Sequence, residues 1–274
     1  MSATINYASK YSPVVDDKFV LESLTEGMAN NEYDWIGVST VNVYSIPDVA
    51  LGDYTTSGSN RYGDPDELGD EVQEMTLSQD KAFTFTIDRK NYDDTMMTKE
   101  AGKRLATEIS NVVIPFIDAY RIGKAFTYAG NTTTETVTSS NAYATFLEAQ
   151  AKMDEDKVPV GGRVCYVTPQ FYKKIRLDDA FIKASDLGQN IQITGQVGEI
   201  DGVPVIKAPS SYFPAKAEFV IMNPVAMVSP VKLQEYKIHT EPQGISGWLV
   251  EGRVRFDAFV LNNKADAVSV CVAP

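Results

Sequence analysis

The sequence predicts an α+β fold drawn out into long limbs, from three observations. A single helical stripe runs from Thr95 to Ala129. Stretches of β-branched and aromatic residues with two-residue alternation lie on both sides of it, at 38–46, 82–88 and 247–260. Over residues 131–228, shorter helical and strand patterns alternate without an internal repeat.

The helix reads TMMTKEAGKRLATEISNVVIPFIDAYRIGKAFTYA. Met97, Ala101, Leu105, Ile109, Val112, Phe116 and Tyr120 recur at three- and four-residue steps and share one face, expected to be the core face. Lys99, Lys103, Arg104, Glu108 and Asp118 fall mostly off it. Asp94 or Thr95 caps its start, and Gly130 with Asn131 supplies a stop. At about 1.5 Å per residue it spans roughly 50 Å. Pro115 cannot donate to the carbonyl of Asn111, which predicts a bend without a break.

Before the helix, residues 1–37 read as an arm. Val14-Val15, Phe19-Val20-Leu21 and Trp35-Ile36 alternate with acidic residues without a sustained period, and Asp17 to Met28 has the spacing for a brief amphipathic helix. So little apolar surface does not fold alone and must lie on something else. Residues 38–90 read as a long two-stranded excursion. Its strands are VSTVNVYSI, before Pro47, and AFTFTID, with Phe83, Phe85 and Ile87 on one face. The Gly-, Asp- and Ser-rich stretch between them has Arg61 as its one positive charge and reads as a tip. A hairpin this long is marginal in isolation and needs a partner surface, from this chain or another.

After the helix comes the Thr-rich connector NTTTETVTSS. NAYATFLEAQAKMDED then carries Tyr143, Phe146, Leu147, Ala151 and Met153 at helical spacing, with Asn141 as its cap. RVCYVT is a buried strand, and Pro169 opens the helix PQFYKKI. DLGQNIQITGQVG is a Gly-punctuated loop, Asp201-Gly202 turns one short strand into the next, and EFVIMNP is a strand stopped by Pro224. LQEYKIHTE and WLVEGRVRFDAFVL are strands divided by the turn at Gly244 to Gly247, with a further turn at Asn262-Asn263. WLVEGRVRFDAFVL runs for about 14 residues and alternates Val254, Phe256 and Ala258 against Arg253, Arg255 and Asp257, so a flat slab is expected rather than a globule.

Composition removes several function classes. The 274 residues carry a net charge of −12, and residues 1–90 alone hold −10 of it, which would repel nucleic acid. No run of about 18 apolar residues exists to span a membrane, and the N-terminus lacks the layout of a secretory signal. Cys165 and Cys271 sit among β-formers and read as buried thiols in a reducing compartment. His239 is the sole histidine, which removes most triads, histidine metal sites and imidazole bases. The acidic run at 64–71 does not fit the calcium-loop pattern, Gly161-Gly162, Gly195 and Gly198 form no phosphate cradle, and Asp178-Asp179 and Asp154 with Asp156 carry no sign of a cleft. We assign no catalytic, cofactor-binding or metal-ligating residue and expect no enzyme.

Four segments in this order, GRVCYVTPQFYKKIR (162–176), GEIDGVPVIKAP (198–209), EFVIMNPVAMV (218–228) and GWLVEGRVRFDAFVLNNKADAVSV (247–270), follow the acidic arm, hairpin and long helix. This arrangement resembles, over nearly the whole chain, the major capsid proteins of tailed bacteriophages with the HK97-type fold. The resemblance implies an N-arm at 1–37 and an extended loop at 38–90 reaching over a neighbouring subunit. It implies a peripheral domain from 91–130 and 229–263, built of the spine helix and β ribbon, and an axial domain from 131–228 and 264–274. The strand Ala267 to Val272 would join the axial sheet; its apolar residues on both faces independently fit a doubly covered position.

The function so implied is a structural subunit that self-assembles into pentamers and hexamers of an icosahedral head enclosing double-stranded DNA without sequence-specific binding. An encapsulin-like nanocompartment shell shares the fold and is the alternative. Expected partners are further copies of the chain, a separate scaffolding protein, a portal and decoration proteins, with assembly in the host bacterial cytoplasm and residence in the virion. The chain begins near its arm without a long charged coiled-coil segment, so scaffolding is expected on another chain or not at all. Lys81 lies near the loop base rather than its tip, so no covalent cross-link to Asn262 or Asn263 is expected. Compliance between the two ring types is expected at the hairpin tip, Pro115 and the arm.

Overall fold

The computed structural model describes residues 23–30, 40–46, 49–63, 67–94, 101–180 and 196–274. Thirteen strands and five α-helices alternate along them. The strands are β1 (Thr40–Ser45), β2 (Glu71–Thr76), β3 (Gln79–Asp88), β4 (Asn131–Thr134), β5 (Val164–Val167), β6 (Gln196–Ile200), β7 (Val203–Lys207), β8 (Ala217–Met222), β9 (Met227–Val228), β10 (Val231–Thr240), β11 (Gly247–Phe256), β12 (Phe259–Val260) and β13 (Val268–Val272). The helices are α1 (Arg89–Asp94), α2 (Ala101–Glu108), α3 (Ile114–Thr127), α4 (Ala142–Glu155) and α5 (Pro169–Arg176).

The long helix runs unbroken through Pro115, but its register slips. Between α2 and α3 lies a π-helical segment, Ile109–Val113, in which the amide of Ile114 reaches back five residues to the carbonyl of Ile109. The wide turn re-aims carbonyls just where Pro115 has no N–H to offer. One extra residue in a turn rotates everything after it by about 100°. The face expected from a constant period therefore moves by one position: Ile117, Ile122 and Ala125 are buried, while Val112 is 50% and Phe116 44% exposed. Asp118, expected off the core face, is fully buried for the same reason. The expected N-terminal caps of this helix, Asp94 and Thr95, fall at or outside the limit of the described side chains. Its stop works differently from a left-handed glycine cap. A Cβ on Gly130 would lie 2.6 Å from the backbone of Ala265 and Asp266, so the residue is small because another chain segment crosses there.

A six-stranded mixed sheet, in the order β4-β13-β8-β5-β7-β6, holds the main core. The C-terminal strand β13 sits inside it, parallel to β4 and antiparallel to β8, with four of its five residues buried. Helices α4 and α5 cover the sheet through Phe146, Phe171 and Phe219, the last two rings 4.6 Å apart. Pro169 opens α5 and Thr168 caps it, its hydroxyl accepting from the amide of Phe171 at 3.1 Å. At α4, Asn141 occupies the cap position without using its side chain there; Asp178 instead accepts from the amide of Tyr143 at 3.0 Å. Asp201 and Gly202 both take positive φ, the paired left-handed geometry that turns β6 into β7.

The second sheet has the order β10-β11-β3. Here the pairing differs from the expectation: β1 pairs with β2, while β3 leaves the excursion and lines the edge of β11 over ten residues. Alternation identified β3 as a strand with one apolar face, which β11 satisfies as well as β1 would. Val254 and Phe256 on that face pack against Ile117 of the helix. Gly252 lies opposite both Phe83 and Tyr236, and the Phe83 ring covers the glycine. The expected 14-residue strand is broken after Phe256 by the buried Asp257, and its continuation β12 pairs with β9.

Candidate assembly surfaces

Each limb is fastened at its root by a buried carboxylate. At the arm, Asp118 Oδ1 accepts from the Ser23 hydroxyl at 2.8 Å and from the Thr25 hydroxyl, and Oδ2 accepts from the amide of Leu24 at 2.9 Å. Three donors from consecutive residues tie this stretch to the long helix. Met28 then enters the core, and Asn30 pairs with β9, its amide donating to Met227 O at 2.9 Å. Of the amphipathic helix expected over Asp17 to Met28, residues 23–28 are described: Ser23 to Thr25 are not helical, and Glu26–Met28 form a 3-10 turn. Arg121 stands beside this joint, and burial holds its guanidinium below the usual range, offset by Asp118 and Glu26.

At the loop, Asp257 does the equivalent work. Its Oδ2 accepts from the Ser78 amide and hydroxyl at 2.7 and 2.8 Å, and its Oδ1 from the Tyr120 hydroxyl at 2.8 Å. Burial, with the neighbouring carboxylate adding to it, pushes the Tyr120 phenol up. Gln73 clamps the other strand: its Nε2 donates to Val260 O at 2.9 Å and its Oε1 accepts from the Asn262 amide at 2.9 Å. Met75 and Leu77 close the root against Val228 and Leu261.

Beyond these roots the excursion is apolar and uncovered. Eight large apolar side chains between Tyr44 and Val72 are exposed, Leu51 completely and Tyr62 to 91%. The tip is nevertheless organised, with Tyr54 and Tyr62 edge-to-face at 5.0 Å and the Thr55 amide donating to Arg61 O at 3.0 Å. Eight carboxylates and one cation, Arg61, lie between Ile46 and Thr76. The long helix has the opposite character. Val112 and Phe116 are exposed one turn apart on it, with Lys81 5.7 Å from the Phe116 ring centre, and Tyr128 is exposed just past its end, with Lys124 5.4 and 5.3 Å from Tyr120 and Tyr128.

The chemistry-bearing residues are dispersed. His239 is exposed on the ribbon, 3.2 Å from Glu251, and Asp80 pairs with Arg253 further along it. A shallow concavity of about 380 Å³ on this face is lined by Phe83, Thr84, Glu235, Lys237, Gly252 and Arg253, a solvated charge ladder without a convergent acid and base. Cys165 and Cys271 are buried free thiols in the six-stranded sheet. Burial holds Cys165 far above the usual range, and burial with Glu218 and Glu135 pushes Cys271 up to about 12. Asp154 pairs with buried Arg163 at 2.7 Å, and Asp156 accepts from Asn131 at 2.6 Å. Gathered groups of three or more metal-ligating side chains are absent among the described residues. Residues 64–66 of the acidic run and 181–195 lie outside the described residues, and the end of the stretch expected as a Gly-punctuated loop, Gln196 to Gly198, is instead part of β6, paired with β7. Sequence reading missed Asp118, Gln73 and Asp257 as roots; a carboxylate inside an apolar stretch, as in FIDAY and RFDAF, was the available signal.

In overall shape the chain matches known structures over nearly its full length. The capsid structure of the cyanophage P-SCSP1u superposes with a TM-score of 0.76 at 13% identity, covering 98% of this chain and 93% of that one. The asymmetric unit of the bacteriophage PhiM1 mature capsid gives 0.75 at 10% identity, with 98% and 92% covered. The chain has the HK97-like capsid fold. A chain from Mycobacterium phage Che8 shares this capsid fold with a TM-score of 0.74, 17% identity and 98% of each chain covered. No family model and no curated protein matches in sequence. Among the described residues no helix is long and apolar enough to cross a membrane.

Proposed function

We propose that this chain is the major capsid protein of a tailed phage, a structural subunit that assembles into pentamers and hexamers of an icosahedral head. The observation that carries this reading is the exposed apolar excursion, rooted on a rigid base, in a chain with a phage capsid fold. A lone copy leaves eight large apolar side chains in water, and covering each is worth about 1.5–3 kcal/mol. A second copy supplies the cover: the acidic hairpin of one subunit lies over Val112 and Phe116 on its neighbour's long helix, beside Lys81. Such a contact joins two different patches, so repeating it closes a ring of five or six when the rotation allows. The shell encloses double-stranded DNA, and a net charge of −12 does not trap phosphates tightly. A portal protein is a further partner, and assembly takes place in the host cytoplasm.

Negative-stain microscopy of the purified chain tests this, with hollow polyhedra or five- and six-membered rings expected. A compact, monodisperse monomer at high concentration would refute it. Replacing residues 50–70 by a short turn is expected to leave a folded subunit that no longer assembles.

A further inference from the structure

The two limb roots meet at one turn of α3, where Asp118 holds the arm and Tyr120 donates to Asp257 at the loop, and a further set of hydrogen bonds runs from one root to the other. Thr25 gives its hydroxyl proton to Asp118, so only its lone pairs face Arg121. The Arg121 guanidinium donates through Nη1 to the Thr25 hydroxyl at 3.2 Å and through Nε to the Ser229 hydroxyl at 2.8 Å. Ser229 passes its own single proton to the carbonyl of Asp257 at 3.0 Å. The carboxylate of that residue holds the Ser78 amide and hydroxyl at the base of the extended loop. Thr25, Ser229 and Asp257 are all buried. Water is therefore not a ready substitute partner, and each link has one direction.

We propose that Thr25, Arg121, Ser229 and Asp257 couple the N-terminal arm to the base of the extended loop within one subunit. These are positioning residues. Arg121 is suited to the centre because its planar fork offers two donors at a fixed angle, so shifting one partner tilts the other. Ser229 sits between β9 and β10, and its hydroxyl links Arg121 to the Asp257 carbonyl, which makes it the place to cut the connection. Coupling of this kind is reciprocal: whatever firms the arm firms the loop, and the reverse. On the capsid reading, to which this adds a regulatory contact, docking of the arm on one neighbour promotes docking of the loop on another. Incomplete rings would then be weaker than complete ones.

Hydrogen exchange on the full chain measures the connection directly. The reporter is the Ser78 amide, at the loop end; the perturbation is Thr25→Val, at the arm end. With Ser229 present, Thr25→Val is expected to speed Ser78 exchange by about 5-fold or more, the lower range for coupled sites. Ser229→Thr, which keeps the hydroxyl, preserves that response, and Ser229→Ala abolishes it. An unchanged Ser78 rate on Thr25→Val overturns the proposal. So does the same acceleration in the Ser229→Ala background, because the effect would then travel by another route. Should valine at position 25 prevent folding, Arg121→Lys replaces it, keeping the charge and losing the fork. Shell formation by the unmodified chain is scored separately by microscopy. Shells without coupling remove the relay alone, and coupling without shells removes the capsid reading alone.

Discussion

The π-helical slip makes opposite demands on two neighbouring side chains of the long helix, and those demands differ enough to measure. Ile122 is fully buried in the main core, whereas Phe116 is 44% exposed over Phe256. Truncating a buried isoleucine to alanine costs about 2–5 kcal/mol, and Ile122 is fully enclosed in the main core, so about 3.5 kcal/mol is expected for Ile122→Ala. Phe116→Ala removes a larger side chain, but water already reaches half of it and no closed cavity is left. About 1 kcal/mol is expected there. At roughly 2–4 °C per kcal/mol for a chain of this size, the melting temperature falls by about 7–14 °C for Ile122→Ala and about 2–4 °C for Phe116→Ala. Differential scanning calorimetry on dilute, unassembled subunits provides the comparison, with urea midpoints as a second measure. A constant helical period demands the reverse order. Phe116→Ala proving as damaging as Ile122→Ala would therefore refute the one-residue slip.

Further outcomes follow from the joints and the buried thiols. Gly130→Ala places a methyl against the crossing backbone of Ala265 and Asp266 and is expected to cost about 3 kcal/mol in denaturant unfolding. Gln73→Ala removes two hydrogen bonds at the loop root, at about 1 kcal/mol each; limited proteolysis within 49–71 should accelerate while the core melting temperature hardly moves. Cys165 and Cys271 are expected to resist a thiol-reactive dye at pH 8 in the native subunit and to react fully once it is unfolded. Both thiols are raised by folding, so their contribution to stability is complete below about pH 9, the ordinary thiol value, and is lost as pH rises towards about 12 for Cys271. A pH titration of the urea midpoint that rises over this window would contradict their burial.

What was legible in the sequence was what one segment decides for itself. Thr168-Pro169 opens α5 because a hydroxyl cap and a donor-free first residue are local chemistry. Asp201-Gly202 turns β6 into β7 through two backbone angles. The doubly apolar VSVCV belongs inside a sheet wherever that sheet lies. The excursion declared itself by carrying more apolar residues than its own strands can hide. Pairing was less legible. The alternating AFTFTID specifies a strand with a buried face, but that face is served equally by VNVYS and by GWLVEGRVRF, and β11 offers ten registered residues where β1 has six.

The slip in the helix and the polar relay were illegible for a deeper reason. An extra residue in a turn changes no composition and no single spacing; it changes only the phase between two halves that each look regular. Once that phase moves, Asp118 passes from a solvent position to the centre of the molecule, and Phe116 and Val112 pass from core to surface. The slip therefore does two jobs in one step. It supplies the buried acceptor for Ser23, Leu24 and Thr25, and it turns Val112 and Phe116 outward, beside Lys81. A chain selected to fold alone would gain by deleting the insertion and burying the pair. Deleting Asn111 should therefore show both effects together: an arm freed from Asp118, seen as faster proteolysis near Ser23, and a loss of assembly. If Asn111 deletion left shells intact, the outward pair would have no part in joining subunits.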